Sequence, residues 1–205
     1  MFRVSLLNIN GLRDPKIFQE KVRLVDKDRN IKIAGLHQED DRIRSLGAGL
    51  LLRNVLTANH LDGEIIYGEQ GKPYLKNNKE YFFNISHSGD YAVCALADFE
   101  IGIDIQIQKP INFKICDRFF TRDEKEFIMK EAEFIEREKN FYTIWTRKES
   151  YMKYTGLGMK QDIRNISVLA CKEACFVDYD DVGGYSIAIC MKKVIFKPNI
   201  NYYHI

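Results

Sequence analysis

The sequence lacks the features that mark several large classes of protein. Its formal net charge is only +2 over 205 residues, so its composition does not indicate a nucleic-acid-binding protein. The most apolar run, residues 46–52, is far shorter than the about 20 residues that a bilayer requires. The first residues lack the apolar stretch and the cleavage site of a signal peptide. These absences predict a cytoplasmic protein that binds neither nucleic acid nor a membrane.

Cysteine is also too sparse and too scattered to form a disulfide framework. The five residues are odd in number, and no His or Cys pair near them completes a zinc pattern. We expect reduced, mostly buried thiols. The sequence contains no phosphate-binding Gly-x-x-x-x-Gly-Lys-Ser/Thr loop, no Gly-x-Gly-x-x-Gly and no His-Glu-x-x-His, which removes three common enzyme classes.

Hydrophobic periodicity predicts a chain of mixed helices and strands. Helices are predicted over 42–58, 123–139 and 140–155, and strands over 2–8, 91–97, 101–107, 163–170, 174–179 and 185–191. The short connection 98–100 predicts that the strands on either side of it pair antiparallel. Residues 27–44 are charged and turn-prone, which is typical of a solvated surface.

Two stretches contain the residues that could bind a metal or take part in catalysis. In Ile101–Ile107, four isoleucines alternate with Gly102, Asp104 and Gln106, which predicts a strand with one apolar and one oxygen-bearing face. Glycine at position 102 would leave room for a ligand. In residues 145–158, Trp145, Glu149 and Lys153 recur every fourth residue, so they share one face of a helix. If the two polar faces meet, their few hard oxygens suit Mg²⁺.

These stretches also carry a resemblance to a known family. WTRKESYMKYTG resembles the W-x-x-K-E-x-x-x-K-x-x-G signature, and GIDIQ the G-[IV]-D-[IVL]-E signature, of the 4'-phosphopantetheinyl transferases of the surfactin-synthetase-activating type. FNISHSGDYAVCAL resembles a third motif of that family. The three blocks occur in the family's order, so together they are specific.

The resemblance implies an α+β fold built as a pseudo-two-fold pair of similar halves. Each half would be a small sheet packed with a long helix, with coenzyme A bound in the cleft between them. We place the boundary near Phe99, so that residues 1–98 would bind the nucleotide end of coenzyme A. Residues 99–205 would carry the metal and pyrophosphate site. A two-halved chain needs no second copy to complete its cleft, so we expect a monomer.

The resemblance also assigns the metal ligands. Asp104 and Glu149 match the family's metal-binding acids, although Glu149 and Lys153 also have the spacing of an ordinary surface ion pair. Gln106 stands where many members carry glutamate, so we expect looser metal binding or a greater reliance on water. Trp145 is expected to pack in the core.

Further positions match residues that bind coenzyme A in the family. Lys148 and Lys153 match its phosphate-facing lysines, and Ser86 and His87 match a Ser-His pair that contacts the phosphates. The remaining matches, at the nucleotide end, are Arg29, Lys32, Arg44, Ser45 and Lys72. The pair Ser86-His87 also suggests a hydrolase triad with Asp104, but neighbours in an extended strand point to opposite sides and cannot share a hydrogen bond.

Glu124 has two interpretations. It completes a Thr-x-x-Glu capping box that begins at Thr121, which is a structural role. It also follows Arg118-Phe119-Phe120 as an acid does in the family, where that acid is proposed to take the proton of the acceptor. We predict that Glu124 is the catalytic base, with a water on the metal as the alternative, and that Lys153 and His87 act beside it.

The predicted function is therefore Mg²⁺-dependent transfer of the 4'-phosphopantetheine arm of coenzyme A to a serine of an apo acyl or peptidyl carrier protein, with release of 3',5'-ADP. One alternative is a module that binds coenzyme A or a carrier protein and turns over poorly because Gln106 has replaced an acid. Another is a metal-dependent phosphohydrolase, which would share Asp104 and Glu149 but would need no carrier.

Overall fold

The computed structural model describes residues 1–61, 63–68, 71–158, 162–180, 182–194 and 196–205. The helices are α1 (Pro15–Lys21), α2 (Lys27–Gly35), α3 (Glu39–Ala58), α4 (Cys116–Phe119), α5 (Arg122–Met129) and α6 (Phe134–Thr155). The strands are β1 (Phe2–Asn8), β2 (Ile65–Tyr67), β3 (Pro73–Leu75), β4 (Phe82–Ser88), β5 (Tyr91–Ala97), β6 (Ile101–Ile107), β7 (Cys175–Tyr179), β8 (Tyr185–Met191) and β9 (Ile200–Tyr203). This mixture confirms the predicted α+β class.

The chain forms two compact units. Unit 1 comprises Met1–Phe99 and Pro198–Ile205, and unit 2 comprises Glu100–Lys197. The last eight residues thus return to the first unit, which the sequence did not predict. No helix among the described residues is long and apolar enough to cross a membrane.

Unit 1 packs α3 against a four-stranded sheet of order β4-β5-β1-β9. β5 lies between β4 and β1 and is antiparallel to both, whereas β9 lies parallel to β1 at the edge. Gly47 and Gly49 on α3 permit close packing, since a Cβ on Gly47 would lie 2.3 Å from Ile9 Cγ2. The segment that follows β1 therefore approaches α3 closely at Gly47.

Unit 2 packs α6 against a three-stranded antiparallel sheet of order β6-β8-β7. Trp145 on α6 stacks on Phe141 at a centroid distance of 5.8 Å, which confirms its predicted core role. Gly156 ends α6 in the left-handed conformation at φ 69°, a common helix C-terminus. All five cysteines are free thiols and three of them are buried, as expected.

Several predictions about secondary structure and strand pairing were wrong. β6 pairs with β8 rather than β5, because residues 98–100 connect the two units. The predicted helix over 123–139 is two helices, since the chain leaves helical geometry after Met129 and α6 begins at Phe134. The predicted strand over 163–170 is instead a 3-10 helix, Ile163–Asn165, followed by irregular chain.

Candidate active site

Asp104 is the central residue of the polar group in unit 2. Its side chain is 3% exposed, and Lys153 Nζ donates to Asp104 Oδ1 at 2.7 Å. Gln106, two residues further along β6, donates from Nε2 to Asp104 Oδ2 at 3.0 Å. The buried carboxylate is therefore held between an ammonium and an amide.

α6 supplies the other half of this group. Glu149 and Lys153 lie four residues apart, so they project from the same side of the helix. Burial raises the pKa of Glu149, the negative charge of Asp104 raises it further, and Lys153 opposes the rise. The structure thus brings together four residues singled out from the sequence: Asp104, Gln106, Glu149 and Lys153.

Gly102 explains how α6 comes so near β6. A Cβ at this position would lie 2.1 Å from the carbonyl oxygen of Ser150 and 2.4 Å from the backbone nitrogen of Tyr154. The space beside Gly102 is filled by the helix backbone, so the expectation that it leaves room for a ligand was wrong. Instead, the missing side chain allows α6 to bring Glu149 and Lys153 to Asp104.

The donor set fits Mg²⁺. Two carboxylates and one amide oxygen are hard ligands, and Mg²⁺ commonly takes one or two carboxylates and completes its shell with water and phosphate oxygens. Within the described residues no group of three or more His, Cys, Asp or Glu side chains is arranged to hold a metal.

Glu124 and Lys148 are brought together elsewhere in unit 2, inside the protein. Lys148 Nζ lies 2.8 Å from Glu124 Oε2, and the two side chains are 1% and 0% exposed. Glu124 also accepts a hydrogen bond from the Thr121 N–H at 2.9 Å, which completes the predicted capping box. The capping role is confirmed.

A second group of predicted residues lies in unit 1, around α2. Arg29 is 6% exposed, and its Nε has no hydrogen-bond partner in the described part of the chain. Its aliphatic portion lies against Gly49 on α3, where a Cβ would come within 3.0 Å of Arg29 Cδ. Burial lowers the pKa of Lys32, and the nearby Arg29 charge lowers it further. Two cations, Arg29 and Lys32, therefore lie close together, and one N–H of the buried Arg29 guanidinium lacks an acceptor among the described residues.

Tyr67 joins this cationic group and was not singled out in the sequence. Its hydroxyl interacts with the Arg29 guanidinium, and burial raises the pKa of Tyr67. Tyr67 ends β2 opposite Pro73 in β3, next to Lys72, whose carbonyl accepts the Gly68 N–H at 3.0 Å. The only sequence signal for a role of Tyr67 was that a tyrosine, which has both an apolar ring and a hydroxyl, ends a short strand bounded by glycines.

Two neighbouring residues on α3 differ in their surroundings. Ser45 is 2% exposed, and its Oγ has no hydrogen-bond partner among the residues that the structure describes. It lies one helical turn before Gly49, on the side of α3 that Arg29 approaches. Arg44 instead forms an ion pair with Asp41 at 2.7 Å.

Ser86 and His87 lie on β4 in unit 1. Ser86 is buried and His87 is exposed, as the alternation of a strand requires. This alternation agrees with two side chains that point to opposite sides of the strand.

The comparisons with known proteins cover both units. Residues 100–190 match the family described as "4'-phosphopantetheinyl transferase superfamily", and residues 14–98 match "4'-phosphopantetheinyl transferase, N-terminal". The chain is 29% identical over 194 residues to the 4'-phosphopantetheinyl transferase Sfp of Bacillus subtilis (strain 168), covering 86% of each chain.

Other relatives carry the same name. A 4'-phosphopantetheinyl transferase of Bacillus subtilis is 32% identical over 81% of each chain. The 4'-phosphopantetheinyl transferase gsp of Aneurinibacillus migulanus is 33% identical over 78% of this chain and 68% of the relative. The resemblance of three motifs thus extends over most of the sequence, and the chain belongs to the 4'-phosphopantetheinyl transferase superfamily.

Proposed function

We propose that this transferase moves the 4'-phosphopantetheine arm of coenzyme A to a serine hydroxyl of an apo acyl or peptidyl carrier protein. The reaction uses Mg²⁺ and releases 3',5'-ADP. The observation that carries the proposal is the meeting of Asp104, Gln106, Glu149 and Lys153 in unit 2 of a chain that belongs to this superfamily.

The chemistry is the transfer of a phosphoryl-type group. The serine oxygen attacks the phosphorus that bears the pantetheine, the bond from this phosphorus to the oxygen of the leaving 3',5'-ADP breaks, and the proton of the serine hydroxyl passes to a water molecule. Most of the acceleration in such a reaction comes from positioning and charge neutralisation. Asp104, Glu149 and the Gln106 amide oxygen would hold Mg²⁺, which neutralises pyrophosphate charge when bound.

Lys153 has two roles in this proposal. In the metal-free protein its ammonium offsets the charge of Asp104, at 2.7 Å. With substrate bound, the same ammonium neutralises a pyrophosphate oxygen, which is a charge-assisted contact. Lys153 therefore lies where carboxylate and phosphate charges both need compensation.

Unit 1 is proposed to bind the nucleotide end of coenzyme A. The buried Arg29 guanidinium, with an unsatisfied Nε and with Lys32 beside it, suits a phosphate dianion such as the 3'-phosphate. The unpartnered Ser45 hydroxyl and the Lys72 ammonium would add polar contacts. Arg44, Ser86 and His87 stay predicted coenzyme A ligands, His87 with a phosphate-neutralising role.

The acceptor, location and assembly state are proposed as follows. Carrier proteins tend to be acidic, so local basic surface would steer their docking even though the net charge of this chain is only +2. We expect a cytoplasmic monomer.

The test is intact-mass analysis of a panel of apo carrier proteins incubated with this protein, coenzyme A and Mg²⁺. We expect one phosphopantetheine mass to be added to at least one carrier, and the Asp104→Ala variant to add none. No addition to any carrier, with coenzyme A binding retained, would contradict the transferase. Release of 3',5'-ADP without any carrier would instead support a phosphohydrolase.

One contact favours a weakened binding module as the second candidate. The Gln106 amide donates to Asp104 Oδ2, one of the two oxygens that Asp104 could offer to a metal. If this amide has disabled the site, Gln106→Glu will raise the transfer rate by about 10- to 100-fold, the size seen when groups that orient a metal site are changed. The transferase proposal expects less than about a tenfold rise, together with a lower half-saturating Mg²⁺ concentration.

A further inference from the structure

The ammonium of Lys148 makes all of its contacts inside unit 2. Its Nζ donates to Glu124 Oε2 at 2.8 Å and to the carbonyl oxygens of Ile163 and Ile166 at 2.8 and 2.6 Å. An ammonium has three N–H donors, so each has an acceptor. The side chain is 1% exposed. Lys148 thus has no donor left to offer a phosphate.

The carboxylate of Glu124 is saturated in the same way. Oε1 accepts the Val168 N–H at 2.8 Å, and Oε2 accepts the Thr121 N–H at 2.9 Å in addition to Lys148. The side chain is 0% exposed. A base that takes a proton from a carrier serine has to come within hydrogen-bond reach of that serine, and three internal donors already occupy Glu124.

The pair joins three parts of unit 2 around α6. Glu124 lies in the first turn of α5, Lys148 lies on α6, and the bonded backbone groups belong to residues 163–168. Glu149 directly follows Lys148 on α6. Gly102 on β6 contacts the backbone of Ser150 and Tyr154, so α6 is held at both points. With these two contacts in place, α6 cannot rotate about its axis without breaking one of them.

We propose that Glu124 and Lys148 form a buried positioning pair that fixes the rotation of α6, and thereby the direction of the Glu149 carboxylate, without touching coenzyme A or the acceptor serine. This inference rests on the proposed function, since it concerns how the metal-binding side chain is held. It replaces the base role of Glu124 and the phosphate role of Lys148 with an internal one.

The two roles differ in how single and paired substitutions behave. Removing one partner of a buried ion pair leaves an uncompensated charge, whereas replacing both by neutral groups of similar volume is often tolerated. If the two residues instead contact the reacting atoms, the double variant stays inactive, because it lacks both the carboxylate and the ammonium. A double-mutant cycle therefore separates positioning from chemistry.

The variants are Lys148→Met, Glu124→Gln and the two combined. Methionine keeps an unbranched chain of similar length. Glutamine keeps one oxygen, which can accept one of the two N–H groups that Glu124 accepts, and its amide nitrogen can donate to a carbonyl that Lys148 leaves. The matched control is Arg122→Met with Glu126→Gln, an ion pair on α5 whose side chains are 91% and 64% exposed.

Three quantities are measured for each variant: the thermal midpoint without metal, the rise in that midpoint on adding Mg²⁺, and the Mg²⁺ dependence of transfer. We expect Lys148→Met to lower the midpoint by about 10 °C. We expect it to raise the half-saturating Mg²⁺ concentration about tenfold. The combined variant should recover part of both changes, because only one buried N–H then lacks an acceptor, and should transfer the arm faster than Lys148→Met. The control pair should change none of the three.

A combined variant that folds normally and binds Mg²⁺ normally, yet transfers no faster than Glu124→Gln alone, would overturn the proposal and assign the base role to Glu124. If the combined variant does not fold, the pH–rate profile of Glu124→Gln decides. Retention of the acid limb of the unmodified protein supports positioning, and its disappearance supports a base. If the unmodified protein modifies no carrier, the proposed function fails, while the midpoints with and without Mg²⁺ still test the positioning pair.

Discussion

At the scale of single residues, the carboxylate of Glu149 is held where its charge is disfavoured. Burial and the neighbouring Asp104 raise the pKa of Glu149, so the folded metal-free protein binds this proton more tightly than the unfolded chain does. The resulting contribution to stability is fully present below the ordinary glutamate pKa and is lost as the pH rises through the raised value. At neutral pH the charged site therefore destabilises the metal-free fold.

Glu149→Gln should consequently melt at a higher temperature than the unmodified protein at pH 7 without metal, and the difference should shrink as the pH approaches 4. Transfer should fall by at least about 100-fold, because a metal contributes several kcal/mol of charge stabilisation. Thermal unfolding between pH 4 and 8 in the presence of a chelator measures the first effect. Glu126→Gln, at an exposed position on α5, is the control. An equal or lower melting temperature for Glu149→Gln at pH 7 would contradict the argument.

Among structural elements, the contact of α6 with β6 depends on one missing side chain. Gly102→Ala would place a Cβ 2.1 Å from a backbone oxygen of α6, so the helix must move away from the strand. We expect a loss of about 1–3 kcal/mol of stability, as for an overpacked core. We also expect weaker Mg²⁺ binding, measured by calorimetry, because Glu149 moves with the helix.

Gly183→Ala is the matched control in unit 2, since no described residue other than its chain neighbours comes within 4 Å of the added methyl group. If Gly102→Ala binds Mg²⁺ as tightly as Gly183→Ala does, α6 does not need its close approach to β6 to place Glu149.

Local periodicity predicted the strands whose backbone groups bond to neighbouring strands in the regular way. The bounds of β1, β5, β6 and β8 agree with the prediction, because alternating or continuous apolar residues mark them. The predicted strand over 163–170 failed because Lys148 and Glu124 take the backbone groups of Ile163, Ile166 and Val168, which strand pairing would need. A lysine 15 residues away in sequence cannot be read from that local pattern.

The other element errors have similar causes. The break before α6 carries no proline or glycine, and Arg137 Nε stabilises it by donating to the Glu131 carbonyl at 2.6 Å. Residues 27–35, which form α2, were predicted as part of a solvated surface because most of them are charged or polar. Two of them, Arg29 and Ile33, are nevertheless buried. The candidate site was more predictable than the fold around it, since Asp104, Glu149 and Lys153 lie on two regular elements with clear periods.

For the whole molecule, the last strand completes the first unit. β9 lies parallel to β1 with Ile200 opposite Val4, and Asn201 Nδ2 donates to the Val4 carbonyl at 3.2 Å. Tyr203 packs against the core of unit 1. Deleting residues 198–205 should therefore destabilise unit 1 by about 2 kcal/mol or more, from the lost apolar burial alone.

Hydrogen exchange resolved to single residues measures this effect. Protection should fall most in β1, which loses a neighbour, and should be kept in β6 and β8, which belong to the other sheet. Deleting only residues 204–205 leaves β9 intact and is the control. Equal protection of β1 in the two deletion variants would show that β9 adds nothing to the sheet.

The return of the chain to unit 1 also sets an order for folding during synthesis. β1 is synthesised before unit 2, and β9, its parallel neighbour, is synthesised after unit 2. Residues 100–197 are translated in between, so one edge of β1 stays unpaired during that time. An exposed strand edge is a template for pairing with other chains. The nascent chain is thus open to aggregation at this edge until β9 has been synthesised, and a ribosome that stalls before β9 holds a protein whose first sheet is still incomplete.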